Sequence, residues 1–509
     1  MHEPGTALVD DIHPKSPTDC LSDSMARLSA EDLARKVTIR LASAVLGMST
    51  AFIARALGRP GGQPRTLTIE QIIGLLDVDG YQETFVRRSQ IPGYLVEQAA
   101  APTAGDPTID GRAQTEPEVH LGNARDLIRS LVPGSVQAIV TSTPYWGMRI
   151  YENTRRVKWA DGEHCMYGFE QTPEGFIRHT VEVLYLLRPA LAADGSVWWN
   201  ISDTYNTRTP IRGNGRERLD AMGGVPESHR GWTEHEACRH SAGHMFLADA
   251  EQCSIPARIA ERASRIGYRL ISYITWRKHT SSPESARNRV TRQAEYILCL
   301  SPGSKPPLFR KEQWKKLKPE IGGPNPQFES QERITDIWTL PVAQGKNGHG
   351  AEYPLALPSR CIALSSREGD VILDPFLGSG TTALAARQLK RRCVGFDISE
   401  HYANIARSRL AAESGQGSTE REEQLKLPGA PVTAPTSNGS GGHRAPPPTE
   451  PPPRRWEKRS TGLVHCVEDY TPLCGDFAPL ESLREWRFRR GFTKTLQSAL
   501  RCPHDVHGE

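Results

Sequence analysis

A glycine-rich turn carries the residues best suited to holding a cofactor. Residues 371–373 are apolar and lead to Asp374, and Gly378 and Gly380 follow before an alanine-rich helical pattern. This order predicts a strand, a tight turn and a helix. Glycines let the backbone turn sharply and approach a ligand closely, and the start of a helix offers unpaired N–H groups. Residues 374–381 are therefore predicted to cradle a nucleotide-like cofactor.

A second apolar run, residues 393–396, ends at Asp397. A parallel sheet would place this carboxylate at a strand end, where it can accept hydrogen bonds from ribose hydroxyls. Two alternatives remain open on these residues alone. Gly378, Gly380 and Ala383 also satisfy the permissive G-x-G-x-x-A pattern of nicotinamide or flavin sites, and the glycines could simply shape a turn.

A second informative loop, residues 142–146, follows a predicted buried strand. The loop consists of Ser142, Thr143, Pro144, Tyr145 and Trp146, and the strand before it contains the apolar residues 138–140 and then Thr141. Proline restricts the backbone, an aromatic ring offers a stacking face, and a serine oxygen can accept a hydrogen bond from an amino group. These groups could hold an extruded nucleobase. The alternative is a hydrophobic turn that caps the strand.

The elements around both loops predict an α/β protein. Helices are expected at residues 173–187, 256–266 and 358–366, and strands at 195–201, 268–276 and 295–300. Near the N-terminus, Leu33, Val37, Leu41 and Val45 recur every four residues and predict one face of a helix.

Composition narrows the class of protein. The chain has 509 residues, a net charge of +4 and ten scattered cysteines with no C-x-x-C pair. No apolar run approaches eighteen residues and no signal-peptide pattern opens the chain, which favours a cytoplasmic protein with no membrane partner. Cys238, His240, His244 and Cys253 match no standard zinc spacing, so no metal is expected.

The domain organisation is predicted from shifts in composition. We expect disorder at 1–24, a helical module with a candidate helix-turn-helix at 25–98, a linker at 99–117 and the catalytic domain at 118–410. A plain packing or dimerisation module is the alternative at 25–98. Residues 302–345 include a basic stretch with interleaved aromatics, which suits contact with a phosphate backbone, and a solvated charged helix is the alternative. They are the first candidate for a target-recognition segment, and residues 206–250 are the second. A disordered linker at 411–455 and a basic tail at 456–509 follow.

Both loops together resemble the amino-directed DNA methyltransferases, specifically the cytosine-N4 type in the beta arrangement, in which the catalytic loop precedes the cofactor loop. The resemblance covers residues 119–410. It implies a Rossmann-like class I methyltransferase with a mostly parallel seven-stranded sheet and S-adenosylmethionine as cofactor. By the same resemblance, the cofactor-binding residues are Asp374, Phe376, Gly378, Ser379, Gly380, Thr381 and Asp397, and the catalytic loop is Ser142, Thr143, Pro144, Tyr145 and Trp146. Thr143 departs from the proline usual in this family.

The resemblance also implies the reaction. Serine at position 142 is usual in members that modify cytosine, whereas aspartate is general in those that modify adenine, so the expected product is N4-methylcytosine in double-stranded DNA. Methylation of ring carbon five would require a cysteine nucleophile, normally in a Pro-Cys loop, and the sequence has no Pro-Cys pair. Adenine-N6 methylation and a DNA-binding regulator with an inactive methyltransferase-like domain are the alternatives. A cognate restriction endonuclease is a candidate partner.

Overall fold

The computed structural model describes residues 28–59, 64–101, 107–148, 155–206, 244, 246–248, 250–279, 288–303, 305–343 and 352–415, together with three short strands between 455 and 472. The predictions for residues 1–24, for Cys238 and His240 and for most of 206–250 lie outside the described residues, as do those for most of the linker and tail.

The strands lie mainly in the middle of the chain. In order they are β1 Lys36–Thr38, β2 Thr66–Thr68, β3 Glu118–Leu121, β4 Val136–Ser142, β5 Val157–Lys158, β6 His164–Cys165, β7 Leu191–Ile201, β8 Arg269–Lys278, β9 Ala294–Ser301, β10 Ile337–Leu340, β11 Val371–Asp374, β12 Arg392–Asp397, β13 Arg455–Lys458, β14 Val464–Glu468 and β15 Thr471–Pro472.

The helices lie before, between and after the strands of the large sheet. They are α1 Ala30–Ala34, α2 Ile39–Leu46, α3 Thr50–Ala56, α4 Ile69–Gly74, α5 Ile91–Ala100, α6 Ala124–Arg129, α7 Pro173–Leu187, α8 Ile255–Arg265, α9 Lys311–Lys315, α10 Ala356–Ser365, α11 Thr381–Gln388 and α12 Glu400–Gly415.

One large sheet organises residues 118–397. Its strand order is β10-β8-β9-β7-β4-β11-β12-β3. The pairs β10·β8, β7·β4, β4·β11, β11·β12 and β12·β3 are parallel, and β9 runs antiparallel to both of its neighbours. The predicted mostly parallel Rossmann-like fold is confirmed, with eight strands rather than the expected seven.

The central strands β4 and β11 are buried on both faces, as expected for strands that are apolar at consecutive positions. On one face Ala138 and Val140 pack with Trp198 and with residues of α10, α11 and α12. On the other, Ile139 packs in a core that contains residues of α6, α7 and α8. Helices thus cover both sides of the sheet. Because most of its strands are parallel, their carboxyl ends form one edge, and the loops that follow them converge there.

The N-terminal region differs from the single helix predicted through Leu33 and Val45. The chain forms α1, then β1 paired antiparallel with β2, then α2. Pairing with β2 satisfies the backbone of β1, and the Thr38 Oγ1 accepts a hydrogen bond from the N–H of Leu41 at 3.3 Å, which caps α2. Gly47, with φ of 62°, ends α2 before α3 begins.

This N-terminal region packs directly on α7 and α8. The Arg262 guanidinium donates to the carbonyl of Thr84 at 3.0 Å, and Phe85 stacks on Tyr185 with ring centroids 4.9 Å apart. Both segments belong to one compact unit, Met1–Lys426. The helix-turn-helix at residues 25–98 stays a prediction.

A second compact unit spans Leu427–Glu509, in which β13, β14 and β15 form an antiparallel sheet. Within the described residues, no single helix has both the length and the apolar character needed to cross a membrane. The helices α2 and α3 taken together, with a bend of 93° between them, satisfy that test.

Candidate functional site

The two predicted loops meet in one cavity of about 310 Å³ at the carboxyl edge of the sheet. They are brought together because β4 and β11 are adjacent parallel strands, with Ile372 beside Ala138, so both strands end at the same edge. The predicted site residues that line the cavity are Ser142, Thr143, Pro144, Tyr145, Phe376, Gly378 and Asp397.

The turn after β11 depends on its glycines. Gly378 and Gly380 have φ of 55° and 87°, the left-handed region that glycine enters without strain. A Cβ atom at Gly380 would lie 3.0 Å from the Cβ of Ala406 on α12, so the turn also requires a close approach. Glycine therefore suits both positions of the turn better than any residue with a side chain.

Asp397 connects the turn to the end of β12. One of its oxygens accepts the N–H of Gly378 at 2.8 Å, and the other accepts the N–H of Ser399 at 2.8 Å. Burial raises the pKa of Asp397 to about 6, against the opposing effect of these two hydrogen bonds. The carboxylate therefore faces the cavity while it holds the glycine turn in place.

Asp374 lies beneath the turn and is fully buried. Its carboxylate accepts the Thr141 hydroxyl at 2.6 Å, the Phe376 N–H at 3.1 Å and the Thr382 hydroxyl. Burial raises its pKa above the ordinary range. Because Thr141 precedes Ser142 on β4, this carboxylate ties the two loops to each other from below.

Three further residues of the predicted cofactor set do not line the cavity. Arg409 of α12 donates to the carbonyl and the hydroxyl of Ser379, at 2.7 and 2.8 Å, and to the Thr381 hydroxyl at 3.4 Å. Gly380 is the residue before α11. Ser379, Gly380 and Thr381 thus lie on the side of the turn that faces away from the cavity. There they connect the turn to α11 and α12.

The loop after β4 divides into cavity residues and one core residue. The Ser142 and Tyr145 hydroxyl oxygens lie 3.4 Å apart, and both residues face the cavity. Trp146 is only 1% exposed, and its indole N–H donates to the carbonyl of Glu170 at 2.8 Å. The structure therefore places Trp146 in the core, where it anchors the loop.

Sequence reasoning missed several polar residues of this cavity, among them Asn200 of β7, Lys278 of β8 and Glu295 of β9. The Glu295 carboxylate accepts the Tyr145 hydroxyl at 2.5 Å and forms an ion pair with the Lys278 ammonium group. Asn200 is a polar residue within the apolar end of β7, and Glu295 is a charged residue at the start of the apolar β9. A polar residue in an apolar strand was the signal in the sequence that could have indicated a functional role. Their mutual contacts depend on strands that are distant in sequence.

Candidate metal ligands are only partly described. His244 bonds to Glu174 at 2.7 Å, and Cys253 is buried, whereas Cys238 and His240 lie outside the described residues. Elsewhere in the described chain, Asp161, Glu163, Cys165 and Glu170 surround His179.

His179 is engaged on both sides of its ring. Its Nδ1 lies 2.8 Å from Glu170 and its Nε2 lies 3.2 Å from Asp161. Burial disfavours the charged ring, yet these two carboxyl groups outweigh it and raise the pKa of His179. The absence of a metal stays a prediction.

The DNA methylase family model matches residues 136–408 of the chain. Type II methyltransferase M.SmaI of Serratia marcescens is 30% identical over 295 residues, which cover 58% of this chain and 90% of the relative. Type II methyltransferase M.Cfr9I of Citrobacter freundii is 30% identical over 299 residues, covering 57% and 87%. A solved DNA modification methylase of Thermus thermophilus, complexed with S-adenosyl-L-methionine, is 25% identical with a TM-score of 0.38, covering 58% and 94%.

The fold and the family match together define a methyltransferase that depends on S-adenosylmethionine and acts on DNA. More closely, the chain belongs to the DNA methylase family that comprises the N6 and N4 enzymes. The residues present suit its cofactor. Gly378, which has no side chain, and Asp397, at a neighbouring strand end, line the same cavity, where a ribose and the chain attached to it can lie.

Proposed function

We propose that this enzyme methylates the exocyclic N4 of a cytosine that is flipped out of duplex DNA, within a short recognition sequence. The observation that carries the proposal is that Ser142 and Tyr145 line the same cavity as Gly378 and Asp397. A nucleobase and a methyl donor can therefore face each other without movement of the sheet.

The base would lie against the loop after β4. The Ser142 hydroxyl and the backbone carbonyl of Thr143 would accept the two hydrogens of the target amino group, and Tyr145 would stack on the ring. Accepting both hydrogens favours the pyramidal nitrogen, whose lone pair is the nucleophile. Orientation then contributes much of the acceleration, and no covalent enzyme intermediate is needed.

Thr143 stands where the family usually has proline, and two features of the structure support an ordered loop despite that difference. Thr143 is only 3% exposed, so it is held by packing. The Tyr145 hydroxyl donates to Glu295, and Asn200 donates to the Tyr145 oxygen at 2.8 Å. These contacts at the far end of the loop restrict the tyrosine ring, which favours an ordered base pocket.

The cofactor would be held by residues after β11 and β12. Asp397 would accept the ribose hydroxyls, while Phe376 and Gly378 would contact the methionine part. When bound, S-adenosylmethionine supplies a methyl group activated by its sulfonium. Four residues of the predicted cofactor set would support binding without contacting the cofactor, because they hold the shape of the turn: Asp374, Ser379, Gly380 and Thr381.

Serine at position 142 supports cytosine as the target, by the resemblance stated above. The relatives named above are Type II methyltransferases, which supports a role in restriction and modification with a cognate endonuclease. Residues 302–345 would read the DNA sequence. Within this segment Trp314 is only 1% exposed, so contact with DNA would fall to neighbours such as Lys311 and Phe309 rather than to that ring.

The experiment that tests this proposal is sequencing of methylated bases in a host that expresses the full chain, with mass spectrometry of nucleosides from the same DNA. We expect N4-methylcytosine at one short motif. N6-methyladenine as the sole product would contradict the cytosine assignment and leave the family intact. No modified base at all would favour the DNA-binding regulator.

Replacing Asp397 by asparagine should weaken binding of S-adenosylmethionine about tenfold to a hundredfold, because hydrogen bonds to a charged group contribute about 1.5–3 kcal/mol. The wild-type affinity should also depend on pH. Binding favours the ionised carboxylate, whose pKa in the free protein is about 6. Affinity should therefore be full above that pH and fall by up to about tenfold per unit below it.

Isothermal titration calorimetry between pH 5 and 8 measures both effects. The Asp397→Asn variant lacks the titrating group and should show a flatter profile over this range. A wild-type affinity that stays constant down to pH 5 would remove Asp397 from the ribose site.

A further inference from the structure

The amide of Asn200 has an orientation dictated by its neighbours. Its nitrogen lies 3.2 Å from the Ser142 hydroxyl oxygen, 2.8 Å from the Tyr145 hydroxyl oxygen and 3.0 Å from a Glu295 carboxylate oxygen. An ionised carboxylate accepts hydrogen bonds and cannot donate them, so the side facing Glu295 must be the donating NH₂. The carbonyl oxygen Oδ1 of Asn200 is therefore directed away from these three partners.

That oxygen has no hydrogen-bond partner among the described residues, although it is buried. Asn200 is only 1% exposed, yet it lines the cavity that contains Ser142 and Gly378. Buried acceptors without a partner are rare and unfavourable, and each one calls for an explanation. A ligand donor that enters the cavity provides one.

We propose that Asn200 contacts the substrate, with Oδ1 accepting one hydrogen of the target amino group, and that Glu295 is the positioning residue that orients this amide. The proposal rests on the proposed function in one respect, namely that the amino group of the target base enters this cavity. Lys278 completes the arrangement because its ion pair with Glu295 holds the carboxylate against Asn200 and Tyr145.

The arrangement supplies a third acceptor beside the Ser142 hydroxyl and the Thr143 carbonyl. The Ser142 oxygen already accepts a hydrogen bond from Asn200, which occupies part of its accepting capacity. The same Asn200 amide that donates to Ser142 has its own acceptor, Oδ1, which is free among the described residues to accept a hydrogen bond from the substrate. Oδ1 can then share the amino hydrogen assigned to Ser142, while the Thr143 carbonyl accepts the other, because β4 and β7 are adjacent strands and Ser142 is paired with Asn200 in register.

The proposed contact of Asn200 with the amino group can be distinguished from simple support of the loop. The experiment compares how wild type and Asn200→Ala bind DNA with and without the target amino group. Duplexes would carry either the target cytosine or 2-pyrimidinone, which lacks only the amino group, in the motif found by methylome sequencing. We expect Asn200→Ala to weaken binding of the cytosine duplex roughly fivefold to tenfold more than that of the pyrimidinone duplex, as measured by fluorescence anisotropy. Equal losses for both duplexes would overturn the contact, because loss of loop support affects both alike.

The role of Glu295 is tested by a double-mutant cycle on the same duplexes. Glutamine at position 295 can present its own NH₂ to Asn200 and let that amide reverse. Glu295→Gln should therefore reduce the preference for the cytosine duplex, and it should have no further effect on that preference in an Asn200→Ala background. Independent, additive losses would overturn the positioning role.

Failure of this inference can be told apart from failure of the cytosine assignment. If the host DNA contains only N6-methyladenine, the same cycle is run with adenine and with purine, which lacks the adenine amino group. A selective loss for adenine would then uphold the contact made by Asn200 while the cytosine assignment falls.

Discussion

Replacing Ser142 by alanine should lower the rate of methyl transfer about a hundredfold or more, while the affinity for S-adenosylmethionine changes by less than about twofold. The serine oxygen is one of the acceptors proposed for the target amino group, and removal of one polar group that acts on the reacting atoms typically costs about a hundredfold to a thousandfold in rate. The cofactor side of the cavity does not depend on it, because Asp397 holds the glycine turn through the N–H of Gly378.

Single-turnover transfer of labelled methyl groups and calorimetry with the cofactor measure the two quantities separately. Ser264→Ala is the matched control. This serine lies on α8 and its hydroxyl donates to the carbonyl of Ala260 at 3.3 Å, so its loss should leave the rate unchanged. A Ser142→Ala enzyme that keeps the wild-type rate would remove Ser142 from the reaction, and parallel loss of cofactor binding would indicate a collapsed loop instead.

Replacing Arg360 by methionine should lower the free energy of unfolding by about 3–5 kcal/mol, because it leaves a buried carboxylate without its partner. Arg360 of α10 is only 1% exposed and donates to both oxygens of Glu329, at 2.7 and 2.8 Å. It also donates to the carbonyls of Gly322 and Gly323, at 2.7 and 3.0 Å. A single side chain thus fastens part of the proposed target-reading segment, residues 302–345, to the catalytic core.

Urea denaturation followed by circular dichroism measures this loss. Lys158→Met is the matched control, because Lys158 and Glu97 also form an ion pair, at 3.0 Å, but both side chains are more than 60% exposed. An exposed pair contributes at most about 1 kcal/mol. The double variant Arg360→Met with Glu329→Leu should recover part of the loss, since the isolated carboxylate is then removed as well. Equal effects at positions 360 and 158 would contradict the structural role of Arg360.

The basic, aromatic segment around Phe309 and Trp314 shows how a local pattern can mislead. Its composition favours a surface that contacts a phosphate backbone, but Trp314 packs into the core, with the Arg360 guanidinium 5.9 Å from its ring. The sequence around a tryptophan does not reveal which face of a five-residue helix will be covered. That depends on α10, more than forty residues later in the chain.

Local patterns determined the class of fold and the two loops. The helix at residues 173–187 and the glycine turn were readable because apolar periodicity, a capping threonine and glycines act over a few neighbouring residues. The order of the loops, joined to the resemblance, indicated the family that the comparison at residues 136–408 confirms. The helix predicted through Leu33 and Val45 was wrong because strand pairing between β1 and β2, a nonlocal contact, overrode a local repeat.

Only the tertiary structure decided which residues share the cavity. It assigned Asp374 and Ser379 to the support of the turn and Trp146 to the core, and it brought Asn200, Lys278 and Glu295 to the loop that contains Ser142. The physical reason is that hydrogen bonds and ion pairs act over about 3 Å in space, whereas these partners lie 17 to 233 residues apart in the chain. Only the packing of strands, helices and loops in the folded chain brings them within reach.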